Sequence, residues 1–505
     1  MSYDDDLSIP NDMDKSKTIL PEETATLPSY SNHLVSLISN SFIALVVRQL
    51  GVNGVLFIGN IVLSRWVEPD TYGIFAVVLA FQTTLIIFAD FGLGPALIQR
   101  EQQPSKENIA GLFTVQLIIF ASIALIIYSL APWIAIVTML GTDGQLIIRA
   151  CTIILGITAL RSIPALLLER QLHFGPIVLA EVLGTIIYQI VLLTLVWLNY
   201  HVLSIVYALI ARYTCDLLII WFFKPWRPRL SLQLRPILSY LSFGISMQGV
   251  RLMAYSKDQL PIILLVPFAG AYNAGIWGWA MTYIAIPIYL IRLVERVMFP
   301  AFARLQNNRE QLSNLVTIAL WLNFAMGVPL LLSLVVFAPN LIELIYGATW
   351  LTALPVIYLL TLNIAGGFMT PILFNFLYAI GEPALAFRMF AIWAGLTCFF
   401  SVPAILIWQL PGMAGAFSLA TFVICLILFK VISTKIDVNL KHVLSGPALG
   451  LFIALIVKYL LLFISLDWRF SLLIVLLSYT TVFYAKDRHI ISALIQKRLI
   501  NYDTI

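Results

Sequence analysis

Leu117-Ile118-Ile119-Phe120-Ala121-Ser122-Ile123-Ala124-Leu125-Ile126-Ile127-Tyr128-Ser129-Leu130 is a run of fourteen residues with no charge, glycine or proline. Extended to about 108–131, it supplies the roughly 20 apolar residues that a helix needs to cross about 30 Å of hydrocarbon. Ile186 to Leu198 and Leu449 to Leu466 repeat the pattern, and such runs recur from about residue 42 to residue 485. The whole chain has the same character: 61% of its 505 residues are hydrophobic, 11% are charged, and the mean hydropathy is +0.95. A soluble protein averages about 45–50% apolar and about 25% charged residues, so water is not the solvent for most of this surface. The expected fold class is an all-α polytopic membrane protein.

The intervals between the runs exclude separate aqueous modules. After the N-terminus the longest polar stretch is about 20 residues, near 292–312, and a domain below about 40 residues rarely folds alone. No soluble enzyme is expected, and no G-x-x-x-x-G-K-[ST] loop is present for ATP hydrolysis. Cys151, Cys215, Cys398 and Cys425 all lie within apolar runs, without metal-ligand spacing. They read as small hydrophobes, so neither a disulfide nor a metal is expected. Residues 1–33 carry seven acidic side chains against Lys15 and Lys17, a net charge of −5 that leaves +10 for the rest. A signal peptide would begin basic and turn apolar at once. This stretch does the reverse and reads as a disordered acidic cytoplasmic tail.

Fourteen spans fit the length criterion: near 42–64, 71–92, 108–131, 146–167, 176–198, 202–223, 240–265, 271–292, 313–338, 354–379, 384–407, 412–432, 443–464 and 469–485. Short cytoplasmic loops carry an excess of Lys and Arg. With the N-terminus inside, 19 loop and tail basic residues fall on the inner side, and only Arg65 and Arg469 on the outer. Both termini are therefore expected to be cytoplasmic. Tyr72-Gly73-Ile74-Phe75 is echoed by Ala274-Gly275-Ile276-Trp277 about 202 residues later. Six spans separate the two, so the repeat keeps its orientation in the membrane, as in transporters built from parallel repeats. The expected division is an N-terminal six-helix lobe (34–235), a C-terminal six-helix lobe (236–435), a terminal helix pair (436–485) and a cytoplasmic tail (486–505).

Four segments carry a family resemblance. Asp90-Phe91-Gly92 through Ile98-Gln99-Arg100 resembles the "DFG…IQR" segment of bacterial Wzx-like polysaccharide flippases, and Leu168-Glu169-Arg170-Gln171-Leu172-His173-Phe174 stands where they have a similar short loop. Met298-Phe299-Pro300-Ala301-Phe302-Ala303-Arg304-Leu305-Gln306 resembles their "FPAFAxxQ" loop, and Tyr346-Gly347-Ala348-Thr349-Trp350 their "FGxxW" turn. The resemblance implies the multidrug/oligosaccharidyl-lipid/polysaccharide (MOP) exporter superfamily: two lobes around a central cavity, alternating access, and movement of an undecaprenyl-pyrophosphate-linked oligosaccharide from the inner to the outer leaflet of the bacterial cytoplasmic membrane. It implies no cofactor beyond a proton or sodium gradient and no nucleic acid. The implied partners are the lipid-linked oligosaccharide, the bilayer, and the polymerase and assembly proteins of surface polysaccharide synthesis.

Ionisable residues at bilayer depth cost about 2.5–3.5 kcal/mol each on insertion scales and face water or protein interior, so they point to a site. Arg149 and Lys458, near outer span ends, can snorkel. Arg212 and Asp216 are spaced to pair along one helix face, and Asp90 is placed to brace a loop. Arg48, Arg161, Arg251 and Lys257 are the candidates for substrate binding, Arg48 and Arg251 at nearly matching repeat positions. Guanidinium forks bind phosphate oxygens in pairs and an ammonium adds a point charge; the competing reading is internal ion pairing, such as Arg251 with Asp258. Glu181, Asp216 and Asp258 are candidates for ion coupling, or alternatively neutralise a nearby arginine. Tyr255, Trp277, Trp279, Tyr283, Tyr289 and Trp321 could stack on sugars, or simply pack.

Seven basic residues within spans against four acidic ones favour an anionic substrate over the cations of a drug antiporter. A lipid-II-type flippase is a further alternative. A membrane glycosyltransferase or O-antigen polymerase needs catalytic groups in sizeable outer loops; the short outer loops here hold only isolated acids such as Asp143, Glu343 and Asp467. No catalytic residue is expected.

Overall fold

The computed structural model describes residues 48–90, 105–138, 140, 143–171, 173–225, 227–231, 238–464 and 466–495. The acidic segment 1–33 and the flippase-like stretch 91–100 lie outside these residues.

In hydrocarbon every backbone N–H and C=O needs an internal partner, which a helix provides along its own length. The described chain is accordingly a succession of helices: α1 (48–66), α2 (Pro69–Asp90), α3 (Lys106–Val137), α4 (Gly144–Arg170), α5 (Gly175–Trp197), α6 (Leu203–Phe223), α7 (Leu238–Ile284), α8 (Ile286–Leu305), α9 (Arg309–Val336), α10 (Ala338–Ile345), α11 (Leu354–Gly367), α12 (Thr370–Ala379), α13 (Pro383–Ser433), α14 (Leu440–Leu461) and α15 (Trp468–Ile495). Polar caps begin three of them: Ser105, Asn308 and Asn439 accept from the backbone N–H three residues on, each at 3.1 Å. Such a cap satisfies one of the donors a helix start leaves open.

Ten helices among the described residues are long and apolar enough to cross a membrane, or eleven with one bent pair, Leu252–Gln259 and Leu264–Ile284. The expected fourteen spans do not map one to one onto these. The 51-residue α13 contains two of them, 384–407 and 412–432, on either side of Gln409, where φ is 50° and ψ −128°. The first expected span begins before the described residues. Helix α7 breaks at Gly270 (φ 83°). The stretch 292–312, expected as a polar loop, is mostly helical: α8 runs to Leu305 and α9 starts at Arg309. Its charges kept it from reading as a span, yet Phe302 on it is fully buried.

Helices α3 to α6 pack on one another, α7 packs along α13, and α14 and α15 pair and lie against α9. One buried apolar cluster runs from Leu63 and Phe75 through Trp279 to Phe417, joining the two halves of the chain. The principal seam is α2 against α7, and the repeated tetrapeptides meet on it. A Cβ on Gly73 would lie 1.9 Å from the Ala271 carbonyl oxygen, and one on Gly275 would lie 1.9 Å from the Pro69 carbonyl oxygen. The contact is reciprocal: each glycine meets the carbonyl oxygen of the residue four positions before the other. Small residues let membrane helices approach until their backbones touch, and hydrogen is the only side chain that fits here.

Candidate functional site

Four of the seven predicted site residues converge from four helices of the first half. Arg48 on α1 pairs through Nε with Glu181 Oε2 on α5; Arg161 Nη2 on α4 lies 3.8 Å from Glu181 Oε1, and Arg161 Nε lies 3.9 Å from Asp216 Oδ2 on α6. The chain of charges runs inward from water, with Arg48 37%, Glu181 20%, Arg161 19% and Asp216 5% exposed. Gly184, three residues beyond Glu181, admits the far end: a Cβ there would sit 2.1 Å from Asp216 Oδ1. Arg212, one turn before Asp216, adds a third guanidinium to the same field, with its Cζ 5.9 Å from the Tyr213 ring centroid.

This cluster is under-satisfied. Contacts at 3.8 and 3.9 Å are ion pairs but too long for hydrogen bonds. Arg161 Nε, Arg212 Nε and Asp216 Oδ1 are buried and find no hydrogen-bond partner among the described residues. Among the described residues three guanidiniums face two carboxylates, a formal excess of one positive charge. Buried charge without full pairing is costly.

In the second half, Lys257 on α7 pairs with the neighbouring Asp258. Its Nζ also sits 3.8 Å from the centroid of the Trp393 ring on α13. The Arg251 side chain lies outside the described residues, as does that of Asp90. Arg149 rests over the Tyr128 ring at 4.8 Å and Lys458 over the Phe337 ring at 4.4 Å. Most of the candidate sugar-stacking aromatics are core. Trp279 stacks on Trp350 with centroids 4.8 Å apart and lies beside Tyr283 and Tyr346; Trp277 packs edge-on to Phe417; all are buried. Tyr255 and Tyr289 are half-buried.

Sequence reading missed two polar constructions. At the C-terminal end of α1, Trp279 Nε1 donates to Ser64 Oγ (3.0 Å) and Trp350 Nε1 to the Ser64 carbonyl (2.7 Å). Arg65 Nε donates to the Ile345 carbonyl (2.8 Å) and Nη2 to that of Leu344, at the C-terminal end of α10. Together they clasp the first half to the second; Arg65, one of two basic residues expected in outer loops, was the signal in the sequence. The other is Asp487, buried at a break in α15, which accepts from Trp321 Nε1 at 2.6 Å and lies against Gly446 of α14. A carboxylate at a span end reads as tail until the fold buries it.

The profile of the polysaccharide biosynthesis protein family matches residues 62–355, more than half of the chain. The chain belongs to this family. Among relatives, the succinoglycan biosynthesis transport protein ExoT of Rhizobium meliloti is 23% identical over 68% of this chain and 69% of its own length. The lipopolysaccharide biosynthesis protein WzxC of Escherichia coli is 25% identical over 59% of this chain and 61% of its own. The teichuronic acid biosynthesis protein TuaB of Bacillus subtilis is 26% identical over 55% and 57%. Among solved structures, the lipid II flippase MurJ in an inward closed conformation superposes with a TM-score of 0.72 over 91% of this chain and 99% of that one, at 15% identity. An inward-facing multidrug resistance MATE transporter of the MOP superfamily gives 0.55, with 16% identity, over 77% and 97%. The resemblance to Wzx-like flippases is thus borne out. This family member is a multi-pass membrane protein with a transporter's fold, and none of these relatives or neighbours is named as a catalyst.

Proposed function

We propose that the chain flips an undecaprenyl-pyrophosphate-linked oligosaccharide repeat unit from the inner to the outer leaflet of the bacterial cytoplasmic membrane, for surface polysaccharide synthesis. In this reading residues 34–235 and 236–435 are the two rocking lobes and 436–485 the appended helix pair. Both termini are cytoplasmic, and a polymerase with its assembly proteins takes up the product. The observation that carries the reading is the net-positive, under-satisfied cluster of Arg48, Arg161 and Arg212 around Glu181 and Asp216. Pyrophosphate supplies the missing acceptors. Arg48, the most exposed member, makes the first contact; Arg161 can turn a guanidinium N–H to phosphate without leaving Glu181; Arg251 and Lys257 engage from the other half.

Coupling to a proton or sodium gradient falls to Glu181, Asp216 or Asp258. Loss of negative charge at Glu181 would free two guanidiniums at once, tying substrate affinity to the charge state of one carboxylate. The clasp of Ser64 and Arg65 on Trp279, Trp350 and α10 is the closed outer gate. The test is complementation of a flippase-deficient strain, with assay of the lipid-linked unit reaching the outer leaflet. Compared at equal membrane abundance, Arg48→Ala and Arg161→Ala should each lose most of the flux, by roughly ten- to a hundredfold if each gives up one charge-assisted hydrogen bond of about 1.5–3 kcal/mol. Normal flux in both would refute the assignment.

A further inference from the structure

We infer that Trp393 recognises the first sugar of the lipid-linked substrate, and that Lys257 covers its ring until a phosphate draws the ammonium away; this rests on the flippase reading above. Three observations meet at Trp393. Lys257 Nζ stands 3.8 Å from the ring centroid, in position to shield an indole face. The ring is only 6% exposed, and its Nε1–H is buried with no acceptor among the described residues. Behind it Phe390 and Phe374 continue a near-parallel stack, with centroids 6.4 and 3.9 Å apart and interplanar angles of 6° and 7°. That stack holds the indole in one orientation.

Lys257 and Asp258 lie at the end of the segment Leu252–Gln259, where α7 bends by 53°. Asp258, the ion-pair partner of Lys257, is 57% exposed. A carboxylate this exposed within an apolar segment turns to water rather than to hydrocarbon. Next to that exposed carboxylate, the Lys257 ammonium covers a buried aromatic face with an unused N–H donor. A glycosyl phosphate uses all three. Its phosphoryl group takes the ammonium, the apolar C–H face of its pyranose lies on the indole, and a ring hydroxyl accepts from Nε1–H. Phosphate and sugar are one glycosidic oxygen apart, which requires the charge and the ring to be neighbours, as Lys257 and Trp393 are.

This arrangement also imposes an order. While the ammonium lies on the ring, a free sugar has no face to stack on, so the phosphate engages first.

The experiment uses the full chain in lipid nanodiscs, titrated with polyprenyl pyrophosphate, bare or bearing one glucose, and with methyl glucoside as competitor. Trp393→Phe keeps a ring on Phe390 and removes only the donor. It should bind the glucosylated lipid roughly fivefold more weakly, the loss of one hydrogen bond, and the bare lipid as the parent does. Trp393→Ala should lose tenfold or more on the glucosylated lipid alone. Lys257→Met should weaken both lipids alike, and methyl glucoside should not compete with either. If both tryptophan variants bind the two lipids as the parent does, or weaken both equally, Trp393 is a packing residue and the inference is wrong. Competition by methyl glucoside would overturn the order of engagement. A parent chain that binds neither lipid overturns the transport reading itself, and this one with it.

Discussion

Replacing Gly73 by alanine should hold the seam between α2 and α7 open. The added Cβ would lie 1.9 Å from the Ala271 carbonyl oxygen and 2.7 Å from the Gly275 nitrogen, both backbone atoms of α7. A close carbon–oxygen contact between helices is about 3.3–3.6 Å, so α2 and α7 must separate by about 1.4 Å or more at this point. No side chain can swing aside to absorb that. Overpacking of this kind costs typically about 1–3 kcal/mol, and it falls on the conformer in which the two glycines touch. A shift of about 2 kcal/mol changes a two-state ratio roughly thirtyfold. Spin labels at Trp66 and Leu344, exposed positions on the two sides of the clasp, report the outcome as a distance distribution. In Gly73→Ala the short-distance population should fall and a longer one grow, and Gly275→Ala should do the same because the contact is reciprocal. Gly156→Ala is the control: nothing lies within 4 Å of its Cβ, and alanine there should leave the distribution unchanged and favour the helix by about 1 kcal/mol. An unaltered distribution in both seam variants would refute the argument that backbone contact at these glycines sets the closed state.

Glu181 is shared by Arg48 and Arg161, so Glu181→Gln should lower the thermal midpoint, and Glu181→Gln with Arg161→Gln should cost less than the sum of the two, by about 0.5–3 kcal/mol of coupling; additive midpoints would deny that they interact. Arg48→Gln should be milder than Arg161→Gln, because the more exposed pair is the better screened. Trp321→Phe leaves the Asp487 carboxylate without that donor and should destabilise the packing of α14 and α15 on α9 by about 1–3 kcal/mol; unchanged protease resistance of the terminal helices would count against Asp487 as their anchor. A cysteine at the exposed Asn199 should label from outside intact cells and one at the exposed Asn307 only after permeabilisation; labelling of Asn307 from outside would reverse the proposed orientation.

Class and architecture were legible because the bilayer is an unselective solvent. A run such as Leu117 to Leu130 declares its surroundings through composition alone, without knowledge of its neighbours. Charged residues in such runs declare themselves in the same way: Arg48, Arg161, Glu181 and Asp216 stood out by cost, and the fold gathers all four. The glycines of the repeated tetrapeptides were visible as a pattern, not as a contact.

Partnership was decided only in three dimensions. Nothing in the chain order says that Glu181, rather than Asp258, takes Arg48, a residue 133 positions away, because pairing depends on helix rotation and crossing, to which one-dimensional hydropathy is blind. For the same reason Trp279 and Trp393 look alike in sequence. Both are buried, but one stacks within an aromatic core while the other has the Lys257 ammonium over its ring. Composition sets how much apolar surface must leave water and how many charges must find partners. Which partner each one finds is fixed by close packing, since only one rotation of each helix lets Gly73 meet Gly275 and Asp216 fit against Gly184.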